Sequence, residues 1–162
     1  MATATPTLYR TLLFAPGSRP ELLAKAQAGD ADALIFDLED SVPANAKDKA
    51  RQNVAQALAA GLHKPMYLRI NNPRAGDFRG DLAVLQQSPT LANVMGVILP
   101  KADDAQDVQA VAAVLTAIES TSAAPAGSLA IVPLIETCLG LRKIHPPYYE
   151  CFIFKHLDVY FL

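Results

Sequence analysis

The 162-residue chain carries 14 basic and 16 acidic side chains, a formal charge of −2. That balance leaves no broad positive field to hold a nucleic acid backbone or an anionic membrane. Half of the residues are apolar, enough for one hydrophobic core, so a single globular domain is expected. No run of about eighteen uncharged apolar residues occurs, and the opening MATATPTLYR has no apolar stretch of signal-peptide length, so the chain reads as soluble and cytoplasmic. Cys138 and Cys151 fit no zinc or redox spacing and are expected to be reduced.

In chain order, short apolar runs alternate with longer helical stretches, the pattern of a parallel sheet with crossover helices. The predicted strands are Tyr9–Phe14, Ala33–Phe36, Met66–Ile70, Val94–Leu99 and Leu129–Ile135, apolar enough to be covered on both faces. After the first strand, Ser18-Arg19-Pro20-Glu21 reads as a helix start, with Ser18 as cap and Glu21 in the capping-box position, and Gly29 reads as its stop. A second helix is expected from Lys47 to Ala60, with Val54 and Leu58 on one face and Gly61 at its end. Asp77–Gln87 reads as a short helix. Val108, Val111, Leu115 and Ile118 mark another over Ala105–Glu119, followed by a small-residue loop at Ser120–Ser128. Five βα units fit a doubly wound sheet or part of a (β/α)8 barrel, and periodicity does not choose between them. In both, ligands sit at the carboxyl ends of the strands.

Five places there bear on chemistry. Asp37-Leu38-Glu39-Asp40 gathers three carboxylates where the second strand emerges. Such acids either surround a hard cation such as Mg²⁺ or form a solvated, helix-capping loop. Arg69, at the end of the third strand, can grip an organic acid through two parallel hydrogen bonds, or pair with an internal acid such as Asp37. Glu136 follows seven apolar or small residues and must reach solvent or a cation; Lys101 could pair with these acids as a structural ion pair. The turn Pro16-Gly17-Ser18-Arg19 leads into a helix N-terminus and could hold a phosphate. His63 reads as a solvated loop residue.

The order of Leu13-Phe14-Ala15-Pro16-Gly17, Asp37-Leu38-Glu39-Asp40-Ser41-Val42-Pro43, Lys49-Ala50-Arg51, Arg69-Ile70-Asn71, Leu99-Pro100-Lys101 and Ile135-Glu136-Thr137 closely resembles the citrate lyase beta-subunit family of CoA-ester lyases, over about residues 8–141. The resemblance implies an α/β fold made of the first five βα units of a (β/α)8 barrel. It implies a carbon–carbon lyase acting on a β-hydroxyacyl-CoA such as citryl-CoA or malyl-CoA. In that pattern Glu136 is a Mg²⁺ ligand, Arg69 grips the substrate, and Asp37 and Asp40 support the metal surroundings. Pro16, Gly17, Arg19 and Lys25 match the region that meets CoA. A non-catalytic CoA-binding or subunit-binding fragment and a CoA-independent oxoacid aldolase are the other classes to be weighed.

Residues 142–162 break the pattern. They hold six of the eleven aromatic residues, two of the three histidines and no alanine, and read as a tail of different origin, the alternative being an ordinary aromatic-rich terminal strand. The family's second metal aspartate has no match there, since Asp158 lacks the expected neighbours. An incomplete barrel would expose apolar edges and so aggregate, pair with another copy as a homo-oligomer or fold only partly, and catalysis by the truncated chain would be impaired.

Overall fold

In the computed structural model, residues 9–122 and 124–143 are described. Five strands, β1 (Leu12–Pro16), β2 (Ala33–Asp37), β3 (Met66–Arg69), β4 (Val94–Leu99) and β5 (Ala130–Pro133), form one parallel sheet in the order β1-β2-β3-β4-β5. The intervening helices are α1 (Pro20–Ala28), α2 (Lys47–Ala60), α3 (Phe78–Gln86) and α4 (Ala105–Thr121), and α5 (Cys138–Lys143) follows β5. Because the strand order never reverses, the sheet lacks the switch point of a doubly wound fold, so among the described residues that alternative is excluded. Among the described residues, no helix is long and apolar enough to cross a membrane.

Apolar patterning explains where the elements fall. All five residues of β2 are buried, as expected for a strand flanked by neighbours and covered on both faces. Helix α2 buries Ala50, Asn53, Val54 and Leu58 along one stripe and stops at Gly61, whose φ of 93° suits glycine. Helix α3 is capped by the Asp77 side chain, and α4 by a reciprocal capping box between Asp104 and Asp107. Their inward residues join Phe36, Leu68 and Leu99 in the main core between sheet and helices. The opposite face of the sheet carries a smaller cluster of Ile35, Tyr67 and Ile98 with Met95, Val132 and Leu134 against it.

Three expectations need correction. The first strand runs from Leu12 to Pro16 rather than from Tyr9 to Phe14, because the Asp32 carboxylate accepts from the Arg10 and Thr11 amides and holds that stretch outside the ladder. Ser18 does not cap α1: Arg19 stands at the cap position with no side-chain cap bond, and Glu21 accepts from Arg19 Nε at 2.6 Å. Strand β5 is shorter than expected, ending at Pro133, although the Leu134 amide still donates to the Leu99 carbonyl. Helix α5 (Cys138–Lys143) crosses the expected boundary between Leu141 and Arg142, while residues 144–162, including His145, Cys151, His156 and Asp158, lie outside the described residues.

Strand register sets the site. Pro16 lies opposite Asp37, and Asp37 opposite Arg69, so the carboxyl ends of the first three strands are level. Ile35 and Asp37 alternate onto one face, as do Tyr67 and Arg69, which aims both charged residues away from the helices.

Candidate functional site

At the ends of β2 and β3, Asp37 and Arg69 form a two-point ion pair: Nε donates to Oδ1 at 2.7 Å and Nη2 to Oδ2 at 2.6 Å. Asp37 is 1% exposed and also accepts from the Glu39 and Ser41 amides at 2.8 and 3.1 Å. Burial would raise its carboxyl pKa, but the bonds from Arg69, Ser41 and Glu39 outweigh it and hold the group below the ordinary range. The bonds to Asp37, in turn, raise the Arg69 guanidinium against its own burial. Both shifts favour the charged form of the pair. Two of the five Arg69 donors are spent on Asp37, and its Nη1 stands 3.5 Å from Glu39 Oε2. The Phe14 ring packs 4.8 Å from the guanidinium carbon and covers one face.

Lys101, just beyond β4, links the remaining acids. Its ammonium donates to Glu39 Oε1 and, at 3.0 Å, to Asp40, and its amide donates to Glu136 Oε1 at 2.9 Å. Glu39 and then Asp40 raise the Lys101 pKa, and the Lys101 bond lowers that of Asp40. Asp37, Arg69, Glu39, Lys101 and Glu136 thus form one connected set across the ends of four adjacent strands, β2 to β5.

Backbone clamps hold this set. The Leu38 carbonyl accepts from Lys47 Nζ at 2.6 Å and from Asn71 Nδ2 at 3.0 Å, and Lys47 also reaches the Glu39 carbonyl. Asn71 is fixed by the buried Asp81, whose other oxygen takes Arg51 Nε at 2.8 Å. Gly17 donates its amide to the Asp37 carbonyl at 2.8 Å and accepts from Asn53 Nδ2 at 3.0 Å. A Cβ there would stand 2.9 Å from Leu38, so only glycine lets the β1–α1 turn pass this close to the acidic loop.

The residues singled out from sequence fall in two groups. Asp37, Asp40, Arg69 and Glu136 come together at the strand ends, and Pro16 and Gly17 border them. Arg19 and Lys25 are exposed along α1, Arg19 paired with Glu21. For Arg69 the alternative pairing with Asp37 is the one present. Glu39 and Lys101 are more central than sequence reading made them. Asn72, Arg74, Asp103 and Thr137, which interlock the next loops, went unrecognised; the only signal was the turn Asn71-Asn72-Pro73-Arg74 directly after a strand.

Among the described residues no three His, Cys, Asp or Glu side chains come together as a closed metal cage. The donor set still suits Mg²⁺, which binds through one or two carboxylates with water and substrate oxygens. Glu39 Oε2 is buried without a hydrogen-bond partner, and Glu136 reaches solvent. Four carboxylates face the cations of Arg69, Lys101 and Lys47, leaving an excess of negative charge.

Residues 10–146 match the family described as HpcH/HpaI aldolase/citrate lyase. The chain belongs to that family. Among HpcH/HpaI aldolase/citrate lyase relatives, it is 37% identical to the citrate lyase subunit beta of Haemophilus influenzae over 84% of its length, covering 46% of that protein. It is 36% identical to an L-malyl-CoA/beta-methylmalyl-CoA lyase of Cereibacter sphaeroides over 83% of its length, covering 42%. The chain thus spans less than half the length of these curated relatives. A crystal structure of Mycobacterium tuberculosis CitE in complex with magnesium, acetoacetate and coenzyme A is 32% identical, with a TM-score of 0.56 over 80% of this chain and 40% of that one. A Haloferax volcanii malate synthase, 16% identical with a TM-score of 0.69, shares the fold over 93% of this chain.

Proposed function

We propose that this chain forms the substrate-gripping part of a Mg²⁺-dependent carbon–carbon lyase acting on a β-hydroxyacyl-CoA such as citryl-CoA or malyl-CoA. The observation carrying this reading is the Asp37–Arg69 pair joined through Glu39 and Lys101 to Glu136. Sequential strand order and barrel-type relatives support five βα units of a (β/α)8 barrel, with residues 1–141 as one domain and 142–162 as an atypical tail. Exposed Leu12, Leu13 and Phe14 on the outermost strand support burial against further polypeptide, either the remaining barrel units or another copy.

Cleavage breaks the carbon–carbon bond, leaving its electron pair on the acyl-CoA fragment as an enolate, while the hydroxyl proton passes to a base and the hydroxyl carbon becomes a carbonyl. Arg69 is held charged and oriented by Asp37, so its uncommitted N–H groups bind the substrate's carboxylate and stabilise oxygens gaining charge. Lys101 ties the Glu39 and Asp40 side chains together through its ammonium. Glu136, with Asp37 and Asp40 as supports of its surroundings, would hold Mg²⁺, which supplies Lewis-acid polarisation of the substrate carbonyl when bound. The turn at Pro16, Gly17 and Arg19, with Lys25 further along α1, meets the CoA portion.

The test is a cleavage assay with citryl-CoA and malyl-CoA, on the chain alone and joined to a segment equivalent to the rest of its relatives. Mg²⁺-dependent release of the acyl-CoA fragment by the joined protein is expected. CoA binding that ignores Mg²⁺, with no turnover by either form, would favour the non-catalytic fragment; turnover of free oxoacids alone would favour the CoA-independent aldolase.

A further inference from the structure

Among the described residues, Lys101 is one of two other than glycine with positive φ, at 52°; the other, Asn93, is a type that tolerates this conformation, whereas lysine seldom adopts it. A strained backbone persists only where its surroundings over-determine it. Here they do. The Lys101 carbonyl accepts from Asn72 Nδ2 at 3.0 Å and from Arg74 Nη2 at 2.8 Å. Arg74 is itself anchored by Asp103 through Nη1 and by Asp107 through Nε at 2.9 Å. Asp103 in turn accepts from the Thr137 hydroxyl, one residue beyond Glu136, so the loops after β3, β4 and β5 are tied at one point.

We propose that Arg74, assisted by Asn72, is a positioning residue that holds Lys101 in its left-handed conformation, aiming the Lys101 amide at Glu136 and its ammonium at Glu39 and Asp40. Arg74 contacts none of the three acids. Its guanidinium acts through the Lys101 carbonyl, and its exposed position means that the core does not need it. A lysine at position 74 would keep the charge but lose the planar fork that reaches Asp103, Asp107 and the carbonyl together.

The consequence for ligand binding rests on the lyase reading; the backbone arrangement does not. Amide hydrogen exchange of the full chain by NMR separates them. Arg74→Ala is expected to speed exchange at the Lys101 amide by about tenfold or more while amides of β2 and α2 keep their rates. Arg74→Lys should fall between the two. Arg74→Ala combined with Lys101→Gly should restore protection at position 101, because glycine adopts positive φ without a clamp. Unchanged exchange at Lys101 in Arg74→Ala, equal acceleration across the core, or no restoration in the double variant would each overturn the proposal. Oxaloacetate with Mg²⁺ is titrated in parallel. If the wild-type chain ignores both while the exchange pattern holds, the lyase reading fails and the positioning role stands.

Discussion

Replacing Asp37 by Asn removes one charge from a buried ion pair while barely changing its volume. The four donors now aimed at the carboxylate, two from Arg69 and the Glu39 and Ser41 amides, would face an amide whose NH₂ can accept none of them. Arg69, with its side chain only 14% exposed, would be left partly uncompensated. Breaking one partner of a buried pair costs about 3–5 kcal/mol, against the ~0–1 kcal/mol of a surface pair. With native stability on the order of 5–15 kcal/mol, that is a large share, and for a chain of this size it lowers the melting temperature by roughly 10 °C. Urea unfolding followed by far-ultraviolet circular dichroism measures it. The double variant Asp37→Asn/Arg69→Met should recover part of the loss, since no lone buried charge remains. A cost below about 1 kcal/mol for Asp37→Asn would refute the reasoning, because the pair would then behave like a screened surface contact.

Gly17→Ala should destabilise by about 1–3 kcal/mol, as the new methyl meets Leu38, the Asp37 carbonyl and Val54 at 2.9–3.1 Å; calorimetry would show an unchanged midpoint if the turn simply gives way. Asp104→Ala removes the side-chain bonds to the Gln106 and Asp107 amides and should cost about 1 kcal/mol in urea unfolding. Asp37, Asp40 and Asp103 are all lowered in the fold, and Asp32 is lowered to about 2 by its bonds from Arg10. Their contribution is complete above the unfolded carboxylate range and disappears as pH falls through the folded values, so the thermal midpoint should hold from pH 7 to about 5 and drop between about pH 4 and 2. A midpoint that is flat down to pH 2 would contradict the charged pairs described above.

Much of the fold was legible because burial leaves a periodic trace. Helix α2 runs over the predicted Lys47–Ala60, and Val108, Val111, Leu115 and Ile118 line the buried face of α4 as their spacing required. Boundaries set by single side chains were not legible. The Asp32 carboxylate that delays β1 lies 20 residues and more from the amides it holds, and nothing in Ser18 itself reveals that Arg19 takes the cap position. The site shows the same division. Charged residues at strand ends could be located from the apolar runs before them, which marked Asp37, Arg69 and Glu136. The partnership between Lys101 and Glu39, 62 positions apart, needed the register of three strands. The left-handed backbone of Lys101 was invisible because its cause lies in Asn72 and Arg74, polar residues of a turn that reads as ordinary surface.

The most direct test of a shared cation-and-substrate site is calorimetric titration of oxaloacetate into the wild-type chain, Arg69→Lys and Glu136→Gln, each with and without Mg²⁺. Mg²⁺ should tighten oxaloacetate binding to the wild type by about tenfold or more, have little effect on Glu136→Gln, and leave Arg69→Lys weak in both conditions, because lysine cannot make the two-point grip. Equal affinity of all three proteins, with no response to Mg²⁺, would mean that Arg69 and Glu136 do not serve a common ligand.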